Sequence, residues 1–132
     1  QQKRIPVELQ HPFPDVRADK TRMIGVLQNL IANAVKFMGK QESPRITIGT
    51  LGRDEINGFP IFFVCDNGIG IDPQYHELVF GLFNRLDSSS AGTGIGLALV
   101  KRIIEIHGGR VWVESGGRNQ GCTFYFSLPP AA

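Results

Sequence analysis

One acidic residue and two glycines follow an apolar run near the middle of the chain. Residues 61–64 are apolar, Asp66 comes two positions later, and Gly68 and Gly70 come after it. A carboxylate at the end of a buried strand can accept a hydrogen bond from a ligand, and glycines let a flat group approach the backbone. Asn67 followed by Gly68 is also a common surface turn. This stretch therefore leaves a turn and a ligand site both open.

A row of polar side chains lies along a helix that is predicted to begin after Asp19 and to end near Gly39. Asn29, Asn33 and Lys36 fall within an arc of about 60° when successive residues are about 100° apart. Three such residues are typical of a solvated helix face, but amide oxygens can also complete a Mg²⁺ shell and an ammonium can bind phosphate oxygens. The predicted core stripe on the other side of the helix comprises Ile24, Leu27, Ile31, Ala34, Val35 and Met38.

A second glycine cluster precedes the other long predicted helix, residues 94–107. The cluster is Gly92-Thr93-Gly94-Ile95-Gly96. The unpaired N–H groups and the dipole at a helix start suit a pyrophosphate, although a packing role is equally typical. A P-loop would need Lys-Ser/Thr after the glycines, and the turn of a dinucleotide fold would follow a strand. Together, the three stretches predict a site for a Mg²⁺-nucleotide.

The composition indicates a single globular domain. The chain has 132 residues, 42% of them apolar, and a net charge of +2, which is too small to indicate nucleic-acid binding. Its apolar runs are too short to cross a bilayer. Cys65 and Cys122 lack metal-ligand spacing, so we expect reduced thiols in a cytoplasmic protein. The first residue is not methionine and the end is rich in proline, so we expect a piece of a longer protein.

The secondary-structure pattern predicts an α+β fold. We expect helices at 19–39 and 94–107, a short helix starting at Asp72, and strands at 5–9, 45–51, 59–65, 111–113 and 122–128. His107 is expected to be a cation near the end of the second long helix. Long helices combined with hairpin strands are typical of a two-layer sandwich in which helices cover one face of a mixed sheet.

Four stretches, in order, resemble the N, G1, F and G2 boxes of the catalytic, ATP-binding domain of two-component sensor histidine kinases. They are QNLIANAVKF (28–37), DNGIGI (66–71), VFGLFNRL (79–86) and GTGIGLALVKRIIEIHGGRVWVES (92–115), and the closing GCTFYFSLP resembles that domain's last strand. The match runs from residue 19 to residue 129. It implies the Bergerat-type two-layer α/β sandwich of the gyrase, Hsp90, histidine kinase and MutL superfamily, with about three helices on one face of the sheet. It also implies one domain over residues 1–132, without the phosphoacceptor dimerisation domain.

The resemblance implies a role for each matching residue. Asp66 would accept a hydrogen bond from the adenine amino group, and Thr123 would support that contact, usually through water. Asn33 would be the Mg²⁺ ligand, and Asn29, Lys36 and Arg85 would be the catalytic residues on the phosphate side. The implied nucleotide-binding set is Asn29, Asn33, Lys36, Phe37, Asp66, Gly68, Gly70, Ile71, Arg85, Gly92, Thr93, Gly94, Ile95, Gly96, Leu97 and Thr123.

The implied activity is transfer of the γ-phosphoryl group of ATP, with Mg²⁺, to a histidine on a separate helical dimerisation domain. The implied partners are that domain and a response-regulator receiver domain, with no nucleic acid, no membrane contact and a monomeric isolated domain. Two features depart from the family pattern. Leu82 stands where proline is frequent, and the serine-rich segment 87–91 is short, with few side chains to cover ATP.

Three alternatives remain open at this stage. An ATP-hydrolysing switch of the same superfamily would need a glutamate one turn before the metal asparagine to activate water, and Asn29 stands there. A serine kinase of the anti-sigma type would be complete in one small domain. A non-enzymatic nucleotide-binding module is favoured only by the short segment 87–91.

Overall fold

The computed structural model describes residues 5–10, 13–76, 78–81, 96–116 and 120–131. Within these residues the α-helices are α1 (Lys20–Lys36) and α2 (Gly96–Ile106), and single 3₁₀ turns lie at Pro73–Tyr75 and Leu78–Phe80. The strands of the same residues are β1 (Val7–Leu9), β2 (Ile46–Arg53), β3 (Pro60–Asp66), β4 (Val111–Glu114) and β5 (Cys122–Ser127). The helix predicted at Asp72 is thus a single turn.

The described strands form one mixed sheet in the order β1-β2-β3-β5-β4. β1 runs parallel to β2, and the pairs β2–β3, β3–β5 and β4–β5 are antiparallel. α1 and α2 pack against each other, α1 against β3 and α2 against β4. The predicted α+β sandwich is therefore confirmed.

α1 begins where the sequence predicts. The side chain of Asp19 accepts a hydrogen bond from the Arg22 N–H at 3.2 Å and caps the helix. The helix ends at Lys36, three residues before the predicted end, and the Phe37 N–H donates to the Asn33 carbonyl at 3.1 Å. Gly39, with φ of 70°, then turns the chain away.

The predicted core stripe of α1 is wrong at two positions. Ile24 and Val35 are 48% and 49% exposed, whereas the buried residues of the helix are Val26, Leu30 and Ala34. Apolar residues cover more than half of the circumference of this helix, so the apolar periodicity is compatible with two different buried faces. The start of α2 lies beside Asn29, which leaves Ile24 and Val35 on the uncovered side.

The core lies between the two helices and the helix-facing side of the sheet. Alternation along β3 and β5 directs Val64, Phe124 and Phe126 into it. The opposite side of the sheet carries a second aromatic group. Tyr125 stacks on Trp112 with ring centroids 5.3 Å apart and contacts Phe63 at 6.3 Å.

His107 joins the end of α2 to the start of α1. Its Nδ1 lies 2.8 Å from the Ile103 carbonyl oxygen, and its Nε2 lies 3.0 Å from the Asp19 backbone nitrogen. Because the Asp19 N–H donates, Nε2 is the acceptor and Nδ1 carries the proton. The ring is therefore a neutral link between the helices, and the prediction of a cation at this position is wrong.

A buried carboxylate fixes the end of the sheet where β3 begins. Asp54 accepts two hydrogen bonds from the Arg110 guanidinium, at 2.8 and 3.1 Å, and one from the Ser127 hydroxyl at 3.3 Å. The hydrogen bond from Arg110 is the largest effect on the carboxyl and holds the pKa of Asp54 below its ordinary value, against the effect of burial. The same guanidinium lies over the Trp112 ring, 4.5 Å from its centroid. This cluster ties the β2–β3 turn to β4 and β5.

Candidate functional site

Asp66 is the last residue of β3 and lies almost completely inside the molecule, with 8% of its surface exposed. Strand alternation places it on the helix-facing side with Val64. Its Oδ1 accepts the Gly68 N–H at 2.9 Å. Burial raises the pKa of the Asp66 carboxyl to about 6, and hydrogen bonds from the N–H groups of Gly68 and Cys122 partly oppose this. Its carboxylate is therefore a buried acceptor that can receive a hydrogen bond from a ligand.

The glycines beside Asp66 lie in positions that a side chain would obstruct. A Cβ at Gly68 would overlap the Phe37 carbonyl oxygen, and one at Gly121 would overlap the Asp66 carbonyl oxygen. Gly70 and Gly121 also have φ of 77° and 75°, where glycine is strongly preferred. The backbone is thus closely packed around the carboxylate.

Three hydrogen bonds hold the loop after β3 against the β4–β5 connection. The Ser115 hydroxyl donates to the Gly121 carbonyl at 2.6 Å and accepts the Ile71 N–H at 3.1 Å. The Gly121 N–H donates to the Gly68 carbonyl at 3.1 Å. Backbone segments on both sides of Asp66 are therefore fixed to each other. Sequence reasoning did not identify Ser115, whose role depends on a contact between distant segments.

The polar row of α1 lies beside the start of α2. The Asn29 amide nitrogen donates to the Gly25 carbonyl at 2.9 Å, which orients the side chain. A Cβ placed on Gly96, the first residue of α2, would lie 2.8 Å from Asn29 Oδ1. Asn33 is half-buried on the same side of α1, and Lys36 is exposed. The structure thus places Asn29 beside the beginning of α2, with Asn33 and Lys36 on the following turns of the same side of α1.

Phe37 follows directly after α1. The Lys36 ammonium lies 5.6 Å from the centroid of the Phe37 ring, within the range of a cation–π contact. The Phe37 carbonyl accepts the Ile69 N–H at 3.0 Å, so the end of α1 is joined to the loop after Asp66. Phe37 therefore connects the two groups of candidate residues through its backbone, with its half-buried ring beside Lys36.

Thr123 is not brought to Asp66. In the register of β3 with β5, Asp66 pairs with Cys122, whereas Thr123 pairs with Cys65. Paired residues project to the same face of a sheet and their chain neighbours to the opposite face. Thr123 therefore lies on the side of the sheet away from the helices, and the expectation that it supports an Asp66 contact is wrong. Cys122 occupies that place, and counting the alternation of β5 back from buried Phe124 would have identified it.

Several predicted residues lie outside the described part of the chain. These are Arg85, Gly92, Thr93, Gly94 and Ile95, together with Leu82 and the segment 87–91. Of the second glycine cluster the structure describes Gly96, which starts α2, and the next residue, Leu97, packs against the core. The described part of the chain contains no group of three His, Cys, Asp or Glu side chains arranged to hold a metal ion.

The donor set fits a Mg²⁺-nucleotide. A buried carboxylate with closely packed glycines suits the polar edge of a flat base, and amides beside an ammonium suit Mg²⁺ and phosphate oxygens. The two groups are joined by α1 and by the Phe37–Ile69 hydrogen bond. No described helix has the length and apolar character to cross a membrane.

Comparisons with known proteins show the family to which the chain belongs. The family described as "Histidine kinase-, DNA gyrase B-, and HSP90-like ATPase" matches residues 18–132. The methanogenesis regulatory histidine kinase FilI of Methanothrix harundinacea is 46% identical over 125 residues, which are 95% of this chain and 14% of FilI. The chain thus spans about a seventh of this curated relative.

Solved structures give the same assignment. Full-length ShkA in complex with AMPPNP aligns with a TM-score of 0.77 and 34% identity, over 97% of this chain and 26% of that one. Histidine kinase ThkA in complex with the response regulator TrrA aligns with a TM-score of 0.69 and 29% identity, over 96% and 34% of the two chains.

The fold, the site and these relatives define an ATP-binding catalytic domain of the histidine kinase type. The chain belongs to the histidine kinase-, DNA gyrase B- and HSP90-like ATPase family.

Proposed function

We propose that this domain presents Mg²⁺-ATP for transfer of its γ-phosphoryl group to a histidine on a separate helical dimerisation domain, in two-component signalling. The observation that carries the proposal is the joining of two unlike groups by α1. Buried Asp66 and its glycines lie at one end of the site, and at the other Asn29 lies beside the start of α2, with Asn33 one turn along the same side of α1. A nucleotide has this same division, with a flat base at one end and charged phosphates at the other.

At the base end, ionised Asp66 accepts a hydrogen bond from the adenine amino group. In the proposal, Gly68, packed against the Phe37 carbonyl oxygen, and Gly70, with its positive φ, shape the loop on which the base lies, with Ile71 beyond them. Ile71 is 6% exposed, and its N–H is held by Ser115, so the loop keeps its shape without a ligand. A preformed pocket binds with less loss of conformational freedom than a flexible one.

At the phosphate end, Asn33 supplies an amide oxygen to Mg²⁺, while Asn29 and Lys36 contact the phosphate side. Bound Mg²⁺ would offset negative charge on the phosphate oxygens. Gly96 and Leu97 begin α2, whose N–H groups and dipole favour an anion. The proposal also assigns phosphate contacts to Arg85 and residues 92–95, on the family resemblance alone, because these residues lie outside the described part of the chain. Phe37 lies beside the nucleotide between the two ends.

The acceptor histidine belongs to another domain in this proposal because the described histidines are already in contact with the fold. Both ring nitrogens of His107 lie within hydrogen-bonding distance of backbone atoms. His76 is half-buried, with its Nε2 3.2 Å from the Ile71 carbonyl oxygen. Phosphoryl transfer depends mainly on in-line positioning and on charge stabilisation, which a nucleotide-holding domain supplies.

A hydrolytic switch is less well supported. The position one turn before Asn33 is Asn29, and an amide cannot take a proton from water. Its amide nitrogen also donates to Gly25, which turns the side chain along the helix. The domain should therefore hold ATP without rapid hydrolysis.

The proposal also covers the protein partners, the nucleotide and the cellular location of the domain. The helical domain and a response-regulator receiver domain are the protein partners, in line with the ThkA–TrrA complex. The nucleotide is ATP, in line with AMPPNP in the ShkA complex. The catalytic domain occupies the whole 132-residue chain as one monomeric unit, works in the cytoplasm, and contacts neither nucleic acid nor membrane.

The test is incubation of the chain with γ-labelled ATP and Mg²⁺, alone and with the helical domain of its kinase. We expect slow phosphate release alone, and base-stable, acid-labile label on the helical domain when it is added. Asn33→Ala should reduce the label, whereas Glu55→Gln, an exposed change far along the chain, should not. Rapid phosphate release that the helical domain does not alter would indicate a hydrolytic switch. Label on a serine of another small protein would indicate a kinase of the anti-sigma type.

A further inference from the structure

The residue that faces Asp66 across the sheet is a cysteine. We propose that Cys122 is a positioning residue of the nucleotide site, which closes the pocket floor beside Asp66 and thereby sets the pH range in which the site accepts an adenine. This inference rests on the proposed function, because it concerns the carboxylate that is assigned to the base.

The geometry comes from the strand register. Asp66 and Cys122 are directly paired in antiparallel β3 and β5, so their Cβ atoms lie about 4.5–5.5 Å apart on one face. They are 8% and 7% exposed. Gly121, just before Cys122, has φ of 75° and no room for a Cβ against the Asp66 carbonyl oxygen. The start of β5 is therefore held closely against the end of β3.

The chemistry of the thiol matters because Asp66 is buried. Burial, and secondarily the Asp66 charge, raise the pKa of the Cys122 thiol well above its ordinary value. The group is thus a neutral S–H at neutral pH, and S–H is a weak hydrogen-bond donor. It excludes water from Asp66 but stabilises the carboxylate little, and burial dominates the raised pKa of Asp66.

On the described elements around this pair, few side chains are titratable. On β3, Cys65 projects to the opposite face of the sheet from Asp66. On α1, Lys36 is exposed, with its ammonium against the Phe37 ring. On β4, Glu114 pairs with Thr123 and so faces the opposite side as well. Cys122 is therefore the titratable side chain that shares the pocket face with Asp66 in the described strands.

A change at residue 122 should move the acid limit of nucleotide binding. Protonated Asp66 offers the adenine amino group a poorer acceptor, so ADP affinity should fall as the pH drops through about 6. A serine hydroxyl at 122 would donate to the carboxylate and favour its ionised form. An alanine would admit water beside Asp66, which would also favour the ionised carboxylate. A valine would exclude water and would offer no hydrogen-bond donor.

The experiment is calorimetric titration of the whole chain with ADP from about pH 5 to about pH 8, a range that spans the pKa of Asp66. For Cys122→Ser we expect the acid midpoint to fall by about 0.7 pH unit, which is about a fivefold change in the acid dissociation constant. Cys122→Ala should shift it the same way, and Cys122→Val should not lower it. Thr123→Val, one residue along on the other face, is the matched control and should follow the parent curve.

The outcomes separate this inference from the proposed function. ADP binding whose acid midpoint is the same in the serine, alanine and parent chains would overturn the role of Cys122 and leave the nucleotide site intact. Absence of ADP binding at every pH in the parent would overturn the proposed function. Titration of the Asp66 carboxyl carbon by NMR, without nucleotide, gives the same comparison directly. If the Asp66 carboxyl titrates with the parent midpoint in a folded Cys122→Ser or Cys122→Ala chain, the inference is also overturned.

Discussion

The carbonyl oxygen of Phe37 accepts the backbone N–H of Ile69 at 3.0 Å, which joins the end of α1 to the loop that follows Asp66. A backbone hydrogen bond of this kind is independent of side-chain identity but needs close approach of the two segments. Gly68 allows that approach, because any Cβ there would overlap the same carbonyl oxygen. The relation between the two ends of the site is therefore fixed by the backbone.

Gly68→Ala should disrupt this junction. The added methyl would meet the Phe37 carbonyl oxygen and the Met38 Cα, so we expect a loss of about 1–3 kcal/mol in the free energy of unfolding, together with weakened ADP binding. Urea unfolding and calorimetry measure the two effects. Gly25→Ala is the control, because a Cβ at Gly25 meets nothing within 4 Å and alanine favours a helix. Equal stability of the two variants would contradict the close contact at Gly68.

Asp66→Asn should remove most ADP binding while the fold is kept. The asparagine oxygen can still accept the Gly68 N–H, but its amide group can present a donor to the adenine amino group. A buried unpaired donor costs about 1–3 kcal/mol, which is about 5-fold to 150-fold in affinity. Calorimetric titration with ADP at neutral pH measures it, and near-normal affinity would remove Asp66 from the base end.

The same substitution should change how stability depends on pH. The pKa of Asp66 is raised from 3.8 to about 6, so the folded chain binds more protons than the unfolded chain in that interval. The contribution of Asp66 to the free energy of unfolding is therefore greatest below the interval and falls as the pH rises through it. In urea unfolding without nucleotide, the difference between parent and Asp66→Asn should show this slope. Glu55→Gln, at an exposed site, is the control and should follow the parent. If the parent gained stability over Asp66→Asn as the pH rose through this interval, the raised pKa of Asp66 would be refuted.

Asn33→Ala should weaken Mg²⁺-ATP binding more than metal-free ADP binding. The substitution removes a proposed metal-ligand oxygen but no base contact. Gln28→Ala, at an exposed position of the same helix, controls for changes in helix stability. Titrations with each nucleotide, with and without Mg²⁺, supply the comparison. Equal losses for both ligands would place Asn33 outside the metal shell.

Arg110→Met should destabilise the domain. It should also change how the free energy of unfolding depends on pH in the acid range. Asp54 is 3% exposed, and without the guanidinium its carboxylate would lose two hydrogen bonds and its counter-charge. Arg110 is itself 40% exposed, so we expect a cost of about 1–3 kcal/mol, which is that of leaving a buried acceptor without its partner. In the parent, the lowered pKa of Asp54 contributes stability that is present above the ordinary value and is lost as the pH falls through the lowered one.

Denaturant unfolding over a range of pH tests this expectation. The variant should lose the part of the acid dependence that comes from Asp54. Lys101→Ala breaks an exposed ion pair with Glu105 and should change stability by only about 0.5 kcal/mol. ADP affinity should stay near the parent value in both, because Asp54 lies at the end of β3 opposite to Asp66. An Arg110→Met chain of parent stability would show that the guanidinium contributes little to the stability of buried Asp54.

The sequence predicts the elements well where local signals are strong. Asp19 caps α1 as its residue type and position indicate, and the run before Asp66 forms β3. The rotation of α1 could not be predicted, because apolar residues cover too much of its circumference. Which stripe is buried depends on where α2 lies relative to Asn29, and that is a contact between residues far apart in sequence.

The sequence groups candidate site residues most directly where one segment holds the signal. Asp66, Gly68 and Gly70 lie in one loop, and Asn29, Asn33 and Lys36 lie on one helix face. Thr123 was misplaced because a shift of one residue in a strand exchanges the two faces of the sheet. Ser115 was missed because its partners, Ile71 and Gly121, come from two other segments, and only the folded chain brings them together.

The opposite orientation of Cys65 and Cys122 has a practical consequence. The two residues lie on adjacent strands but on different faces of the sheet, so they cannot form a disulfide with each other without rearrangement. Cys65 lies on the face that no helix of the described fold covers, whereas Cys122 is buried beside Asp66. A maleimide dye should therefore label Cys65 first, which peptide mass spectrometry would show. A dye attached at Cys65 would therefore report the binding of a partner to the uncovered face of the sheet, while the nucleotide site stays unmodified.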